Sequence, residues 1–405
     1  MGSVHDIDRL PVLGPGIYVH VPFCASRCDY CAFATWTDRH HLASDYVSAC
    51  LEEYAAARRA GLVEATTIFL GGGTPSQLRS EDLVRLVSAF DRTQDAEVTV
   101  EANPEDVTES WLGACVAAGV NRISLGVQSL DPDVLVGLGR KHDPEAVATA
   151  VANIAASGVG RCSVDLIYGG AGETDDSWLA TLAGVLALEP RPAHVSAYAL
   201  TVEPGTPLAR DSSRHPDDDT QATRYEMLDA VLSEAGYHWY EISNWAQPGE
   251  ESRHNLNYWV QGDYRGIGCA AHSHAAGRRW WNVRTPERYI EMISSGFSPE
   301  SVSETLSDSQ RHLESLELAL RTRYGVPVAA LAGALEAEPE LAGLVTVDAT
   351  RDRTALTLAG RLLANEVACR LSVPNALKVT EMAPKATRTG VGGIVSLPWP
   401  SRLPG

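Results

Sequence analysis

The stretch Tyr18-Val-His-Val-Pro-Phe-Cys24-Ala-Ser-Arg-Cys28-Asp-Tyr-Cys31-Ala-Phe33 opens on strand-forming residues and ends in three cysteines spaced Cys-x3-Cys-x2-Cys. Three thiolates this close can hold three corners of a cubane iron–sulfur cluster and leave the fourth iron open to a ligand that is not protein. An all-cysteine cluster is closed and serves electron transfer, whereas an open iron is a place for chemistry. Two blander readings stand beside this one: a zinc knuckle, or a chance group of small buried hydrophobes. Structural zinc usually takes four ligands in two separated pairs, and the chain has no second Cys-x2-Cys pair.

The flanking pattern is α/β. Runs rich in Val, Ile, Thr, Tyr and Phe predict strands at 16–21, 66–70, 97–101, 122–126, 161–167 and 194–200. Helical periods fall between them at 42–60, 80–90, 108–118, 144–157 and 176–188. Such alternation demands a mainly parallel sheet with helices outside. Six units, read as near-continuous apolar strands without an alternating polar face, predict a partial (βα)6 barrel of TIM type over 16–245. A doubly wound open sheet is the second choice.

In parallel barrels the chemistry sits at the C-terminal ends of the strands. Here the first predicted strand runs into the cysteine loop and the second into Gly71-Gly72-Gly73-Thr74-Pro75. Three glycines let a ligand lie against backbone, although a tight turn needs them equally. No Gly-Lys-Ser/Thr follows, so this is not a Walker loop. Glu101, Gln128, Arg140 and Asp165 sit at or after later strand exits. Asp165 lies in the apolar run Val164-Asp-Leu-Ile167, where a carboxylate must be hydrogen-bonded or paired. As a set facing one mouth these residues predict ligand binding.

The 405 residues carry 52 Asp and Glu against 33 Lys and Arg, a net charge of −19. That balance argues against nonspecific binding to nucleic acid or anionic lipid. No secretory signal or membrane-spanning run is read, and the cysteines beyond the triad, Cys50, Cys115, Cys162, Cys269 and Cys369, are too scattered for a disulfide framework, which points to a reducing compartment, the cytoplasm. Residues 1–15 read as an N-terminal extension and 246–300 as a connecting segment with a glycine-rich turn through Gly266 and Gly268. Residues 301–371 read as a small helical, winged-helix-like domain, and 372–405 as a disordered tail rich in Pro, Gly, Thr and Arg. Within the connecting segment, His254-Asn255…Tyr258-Trp259 reads first as a packed corner with satisfied polar tips, and second as a site that ligates or stacks on a planar cofactor. His272 and His274, near Cys269, read as polar surface before metal ligands.

The cysteine spacing at the first strand exit, with Gly-Gly-Gly-Thr-Pro at the second, resembles the radical S-adenosylmethionine superfamily. Tyr18-Val-His-Val-Pro-Phe-Cys24, Val100-Glu-Ala-Asn-Pro104, Ile123-Ser-Leu-Gly-Val-Gln128 and Val164-Asp-Leu-Ile-Tyr-Gly169 are similar to its oxygen-independent coproporphyrinogen III oxidase group. The resemblance runs from about residue 16 to 371. It implies that Cys24, Cys28 and Cys31 ligate a 4Fe–4S cluster whose free iron binds S-adenosylmethionine. Tyr18, Gly72, Gly73, Thr74 and Glu101 match positions contacting that molecule, and Gln128, Arg140 and Asp165 match a second adenosylmethionine site of the true oxidases. One departure is Gly169-Gly170-Ala171-Gly172 in place of the usual Gly-Leu-Pro-Gly.

The same resemblance separates two functions. The oxidases, which decarboxylate two propionates of coproporphyrinogen III in porphyrin biosynthesis, carry a fourth cysteine where this chain has Phe33, and a longer segment before the cluster. The haem-chaperone branch carries His-Asn-x-x-Tyr-Trp, matched by His254-Asn255-Leu-Asn-Tyr258-Trp259, which makes His254 a haem-site candidate. Both features favour the chaperone: a protein that binds haem as cargo and passes it to apo-haemoproteins, with transient visits to a membrane. A small electron donor such as flavodoxin or ferredoxin is the implied redox partner.

Overall fold

The computed structural model describes residues 13–140 and 142–372. The expected disordered tail, from residue 373 on, lies outside them, as do residues 1–12 of the expected extension.

The six predicted strands are present: β1 (Gly16–Val21), β2 (Ala65–Gly72), β3 (Arg92–Ala102), β4 (Arg122–Gln128), β5 (Arg161–Tyr168) and β6 (His194–Ala199). They pair in parallel in chain order. The crossovers carry α1 (Ala43–Arg59), α2 (Ser80–Ser88), α3 (Glu109–Ala118), α4 (Pro132–Gly137), α5 (Pro144–Ser157) and α6 (Asp175–Leu186). Sequence signals start and stop these helices. Thr108, Asp143 and Thr174 accept backbone N–H bonds as N-caps, and Gly119, at φ 84°, ends α3 in the left-handed conformation a Cβ would resist.

After α7 (Asp218–Glu234) the hairpin β7 (His238–Glu241) and β8 (Asn244–Ala246) extends the sheet antiparallel to β6. Helix α8 (Arg253–Trp259) follows. Then β9 (Tyr264–Ile267) joins β1 in parallel on the other side, and β10 (His272–Ala275), β11 (Arg278–Asn282) and, after α9 (Pro286–Ser294), β12 (Glu300–Thr305) add antiparallel strands. The order β12-β11-β10-β9-β1-β2-β3-β4-β5-β6-β8-β7 leaves the barrel open between β7 and β12 among the described residues. The 246–300 segment is thus more than a connection. Gly266, expected in a turn, lies in β9, where a Cβ would come 2.1 Å from the His272 carbonyl oxygen. The extension is bolted to α1 by buried Glu53, which accepts from Gly268 N (3.0 Å), Arg265 (3.1 Å), Asn282 (3.0 Å) and Tyr289 (2.6 Å).

The strands are not apolar on both faces, which corrects the sequence reading. Outward positions such as Ile17, Val19, Ile68, Leu70, Val98, Val100, Ile123, Leu125, Val164 and Val195 pack in the helix-covered core. Alternate positions turn inward and are polar: Thr67, Glu97, Thr99, Arg122, Ser124, Ser163, His194 and Ser196 are all buried. Curvature brings inward groups together over an intervening strand, as Glu97 of β3 meets Arg161 of β5 at 3.2 Å. A polar lumen needs charged and hydroxyl side chains at each second residue, so the period was written in the sequence but masked by the apolar residues between.

The C-terminal unit comprises α10 (Asp308–Leu320), α11 (Ala332–Ala337), the antiparallel pair β13 (Val345–Asp348) and β14 (Arg353–Leu356), and the short helices α12 (Leu358–Leu362) and α13 (Ala364–Ala368). Its core of Leu316, Leu320, Val326, Leu331 and Val367 also includes Ile242 and Trp259 from the barrel side. No helix among the described residues is long and apolar enough to cross a membrane.

Candidate functional site

The cysteine loop leaves β1 at its C-terminal end. Its neck is closed by a bridge between Phe23 and Trp36, with Trp36 N donating to Pro22 O (2.8 Å) and Cys24 N to Trp36 O (3.1 Å). Midway, Asp29 is tethered to later crossovers: its N–H donates to Leu138 O, its carbonyl accepts from Leu208 N, and its carboxylate takes Arg214 at 2.8 Å. None of the three cysteines is in a disulfide.

Two donors aim at their sulfurs. Thr74 Oγ1 lies 3.6 Å from Cys24 Sγ, and Arg140 Nη1 lies 3.6 Å from Cys28 Sγ. Burial pushes the Cys24 thiol up to about 11, against the Thr74 hydroxyl, and burial also raises Cys31. Such thiols ionise when a metal coordinates them. Among the described residues no group of three or more His, Cys, Asp and Glu closes around a single-ion position. Three soft sulfurs on a pinned loop, with donors directed at them, are the ligand chemistry of iron–sulfur clusters and of zinc alike.

The glycine loop packs on this neck. Gly73 N donates to Val21 O and Thr74 N to Phe23 O, both at 2.8 Å. At Gly72, φ is 100° and a Cβ would stand 2.2 Å from His20 Nδ1; at Gly73 it would stand 2.5 Å from Val21 O. Protein atoms on the β1 side thus require these glycines on their own account. His20, which the sequence reading passed over, is the post beneath them. It is buried, with Nε2 bonded to Ala34 O (2.9 Å) and Nδ1 to Tyr18 Oη (3.1 Å). A histidine in an otherwise apolar strand was its only signal.

Two carboxylates share the lumen mouth. Glu101 accepts from Gly72 N at 3.2 Å, and Asp165 from Ser124 Oγ at 3.0 Å. Burial first, and the Asp165 charge second, push Glu101 up to about 8; burial likewise raises Asp165. From the ordinary unfolded value near 4.3 up to about 8, the folded protein keeps a proton on Glu101 that the unfolded chain has released, so rising pH costs stability through that window. Glu101→Gln removes this cost. Its stability relative to the wild type, read from urea midpoints, is expected to climb from about pH 5 to pH 8; a difference that stays constant would mean that Glu101 is already ionised.

Arg140 bridges the loops, giving Nη2 to Asn103 Oδ1 (3.0 Å) and Gly126 O (2.9 Å) as well as Nη1 to Cys28. Gln128 stands at the β4 bulge with φ 63°, a left-handed conformation uncommon for glutamine and frequent at functional sites. The Gly169–Gly172 loop is held from behind, with Glu173 accepting from Gly169 N (2.7 Å) and from buried Arg224 (2.6 Å). Gly72, Gly73, Thr74, Glu101, Gln128, Arg140 and Asp165 thus gather with the cysteines at one end of the barrel, while Tyr18, deeper on β1, reaches them through His20 and stacks on Phe69 at 6.4 Å. Phe33 is 50% exposed beside Cys31.

His254 is not brought there. It lies at the opposite end, beside the start of β2, 2% exposed. Nδ1 bonds Thr67 Oγ1 and Nε2 bonds Tyr258 Oη, each at 2.9 Å, and burial lowers its pKa to about 4. His272 and His274 lie in β10; His274 is buried against Gly262 O (3.0 Å) and His272 stacks on Trp281.

The Radical SAM superfamily profile matches residues 18–183. The chain is 43% identical over 384 residues to the Heme chaperone HemW of Mycobacterium tuberculosis (strain ATCC 25618 / H37Rv), covering 89% of this chain and 96% of that protein. It is 38% identical to the Heme chaperone HemW of Escherichia coli (strain K12), over 78% of this chain and 86% of that one. Among solved structures, the radical SAM enzyme coproporphyrinogen III oxidase (HemN) of Escherichia coli superposes with a TM-score of 0.76, at 22% identity, over 90% and 91% of the two chains; that likeness concerns the fold. A barrel mouth built on the Cys-x3-Cys-x2-Cys loop, with relatives matched over nearly their whole length, places this chain in the HemW family of the radical SAM superfamily.

Proposed function

We propose that the protein is a haem chaperone that binds a 4Fe–4S cluster, S-adenosylmethionine and haem, and hands haem to apo-haemoproteins. In this reading Cys24, Cys28 and Cys31 hold the cluster. Tyr18, Gly72, Gly73, Thr74 and Glu101 border the adenosylmethionine, and Gln128, Arg140 and Asp165 line the mouth beyond. The observation that carries it is the joining of Cys24 to Thr74 and of Cys28 to Arg140, which ties the thiols to the other strand exits in one mouth. When reduced, such a cluster supplies one electron to the sulfonium of adenosylmethionine. The chain's own part is to place and shelter it: His20 and the glycine loop set the neck, Glu101 and Asp165 offer carboxyl groups that a cationic ligand would draw into the ionised form, and Arg140 offers positive charge beside Cys28. A small flavodoxin- or ferredoxin-like donor, a cytoplasmic setting and transient membrane visits belong to the same reading.

Phe33 supports the chaperone over the oxidase, since the resemblance places a fourth cysteine at that position in oxidases. The deciding assay is anaerobic: the reconstituted protein with coproporphyrinogen III and adenosylmethionine, and separately with haem. Stable haem binding without protoporphyrinogen is expected; turnover to protoporphyrinogen would overturn the proposal.

A further inference from the structure

Helix α8 carries His254-Asn255-Leu-Asn-Tyr258-Trp259 and touches β2, β3, β7, β9 and the C-terminal unit. Residues four apart share a helix face. His254 and Tyr258 turn into the barrel, while Asn255 and Trp259 turn toward β7 and the C-terminal unit. On the barrel side, the His254 ring is wedged between Thr67 and Tyr258 and stacks on Phe69 at 5.3 Å. Its backbone N–H donates to the carboxylate of fully buried Glu97 at 3.0 Å. Tyr258 meets Tyr264 of β9 edge-on at 4.7 Å, and Asn257 donates to Asp263 O at 2.9 Å.

On the other side, Asn255 Nδ2 donates to Glu241 Oε1 at 2.9 Å. Glu241 itself bridges to Thr322, and Arg323 N donates to Tyr240 O at 3.1 Å. Trp259, 2% exposed, is buried with Leu316, Leu320, Val326 and Val367 of the C-terminal unit. Just before the helix, Glu251 accepts from Arg323 at 3.0 Å.

We infer that this motif is a keystone that positions the C-terminal unit on the barrel floor, and that His254 is a positioning residue while the haem iron finds its ligand elsewhere. An iron ligand must offer a nitrogen lone pair to an open face. Both ring nitrogens of His254 are engaged, the ring is covered by Phe69, and the cysteine loop leaves β1 at the opposite end of the barrel. Every side chain named in the motif instead completes a contact between two parts of the fold. The clause about haem rests on the function proposed above; the keystone clause does not.

The test uses the full chain with His254→Leu and His254→Gln. Two readouts are taken: haem titration followed by the Soret band, and hydrogen–deuterium exchange of α10 and β13–β14. For His254→Leu, wild-type haem stoichiometry and Soret position are expected, with exchange in the C-terminal unit faster by about tenfold, the loss of two buried hydrogen bonds. His254→Gln, whose amide can both donate and accept, is expected to restore most of the protection. Loss of the Soret band with unchanged exchange would overturn the inference, as would unchanged exchange in both variants. Should His254→Leu lose both properties, His254→Gln decides. An amide that restores both supports the keystone, because it does not replace imidazole at iron; restored protection without haem refutes it. A wild-type protein that binds no haem defeats the proposed function and leaves the exchange arm standing.

Discussion

Glu97→Gln is expected to destabilise the protein by about 3–5 kcal/mol, the usual cost of removing one partner from a buried charge network. Glu97 is fully buried, faces Arg161 at 3.2 Å and Arg122 at 3.6 Å, and accepts from the backbone of His254 at 3.0 Å. Glutamine keeps the volume but withdraws the charge. Two guanidinium groups, one of them 2% exposed, then sit in the lumen without their counter-ion. The network is not by itself a sign of extra stability, since apolar replacements of whole buried ion groups are often neutral. It is the half-broken network that is costly. Urea denaturation of the two proteins measures the difference, and a loss under about 1 kcal/mol would show that water solvates the arginines. Arg122→Met added to Glu97→Gln is expected to cost less than the sum of the separate changes, because the two residues share one interaction.

Cys28→Ser is expected to leave the protein with almost no iron or sulfide after anaerobic reconstitution, and without visible charge-transfer absorbance. A cluster held by three thiolates has no protein ligand in reserve, and the serine hydroxyl is a poor substitute for a soft thiolate. Cys369→Ser, altered at an exposed position in the C-terminal unit, is expected to retain the full complement. Full iron and sulfide in Cys28→Ser would overturn the cluster assignment and with it the proposed function. Circular dichroism on both apo-proteins separates cluster loss from unfolding, since the Asp29 tethers and the Phe23–Trp36 neck are bonds between protein groups that the Cys28 side chain does not make.

The parallel strands were legible because each stands alone between turn signals: β1 coincides with the expected 16–21, β2, β4, β5 and β6 differ from expectation by one or two residues at their ends, and β3 begins at Arg92, ahead of the expected 97, in a polar stretch with no strand signal. The strands β9 to β12 were not. Each is four to six residues long, and β12 is exposed along nearly its whole length, so it has no hydrophobic period to read. Their place beside β1 is fixed by Glu53, some two hundred residues away in sequence from its partners Arg265 and Asn282. At the site, Cys24, Cys28, Cys31, Gly72 and Glu101 were legible as chemically distinctive residues at strand exits. His20 and Asn103 were not, because their roles are bonds to Ala34 O and Arg140, which only the fold brings near.

The sequence by itself determined the βα alternation and set the thiol triad at the exit of the first strand. These follow from local spacing: a strand of about six residues, a turn, and cysteines close enough to share one group. The tertiary structure alone decided which way the alternate residues face and which groups His254 touches. Whether a polar side chain in a strand meets solvent, a ligand or a buried partner depends on curvature and on the helix that covers the floor. In the motif His254-Asn255…Tyr258-Trp259, residues that suggest a ligand site are each held by a different part of the fold, because a seven-residue helix at a junction presents its faces to separate neighbours.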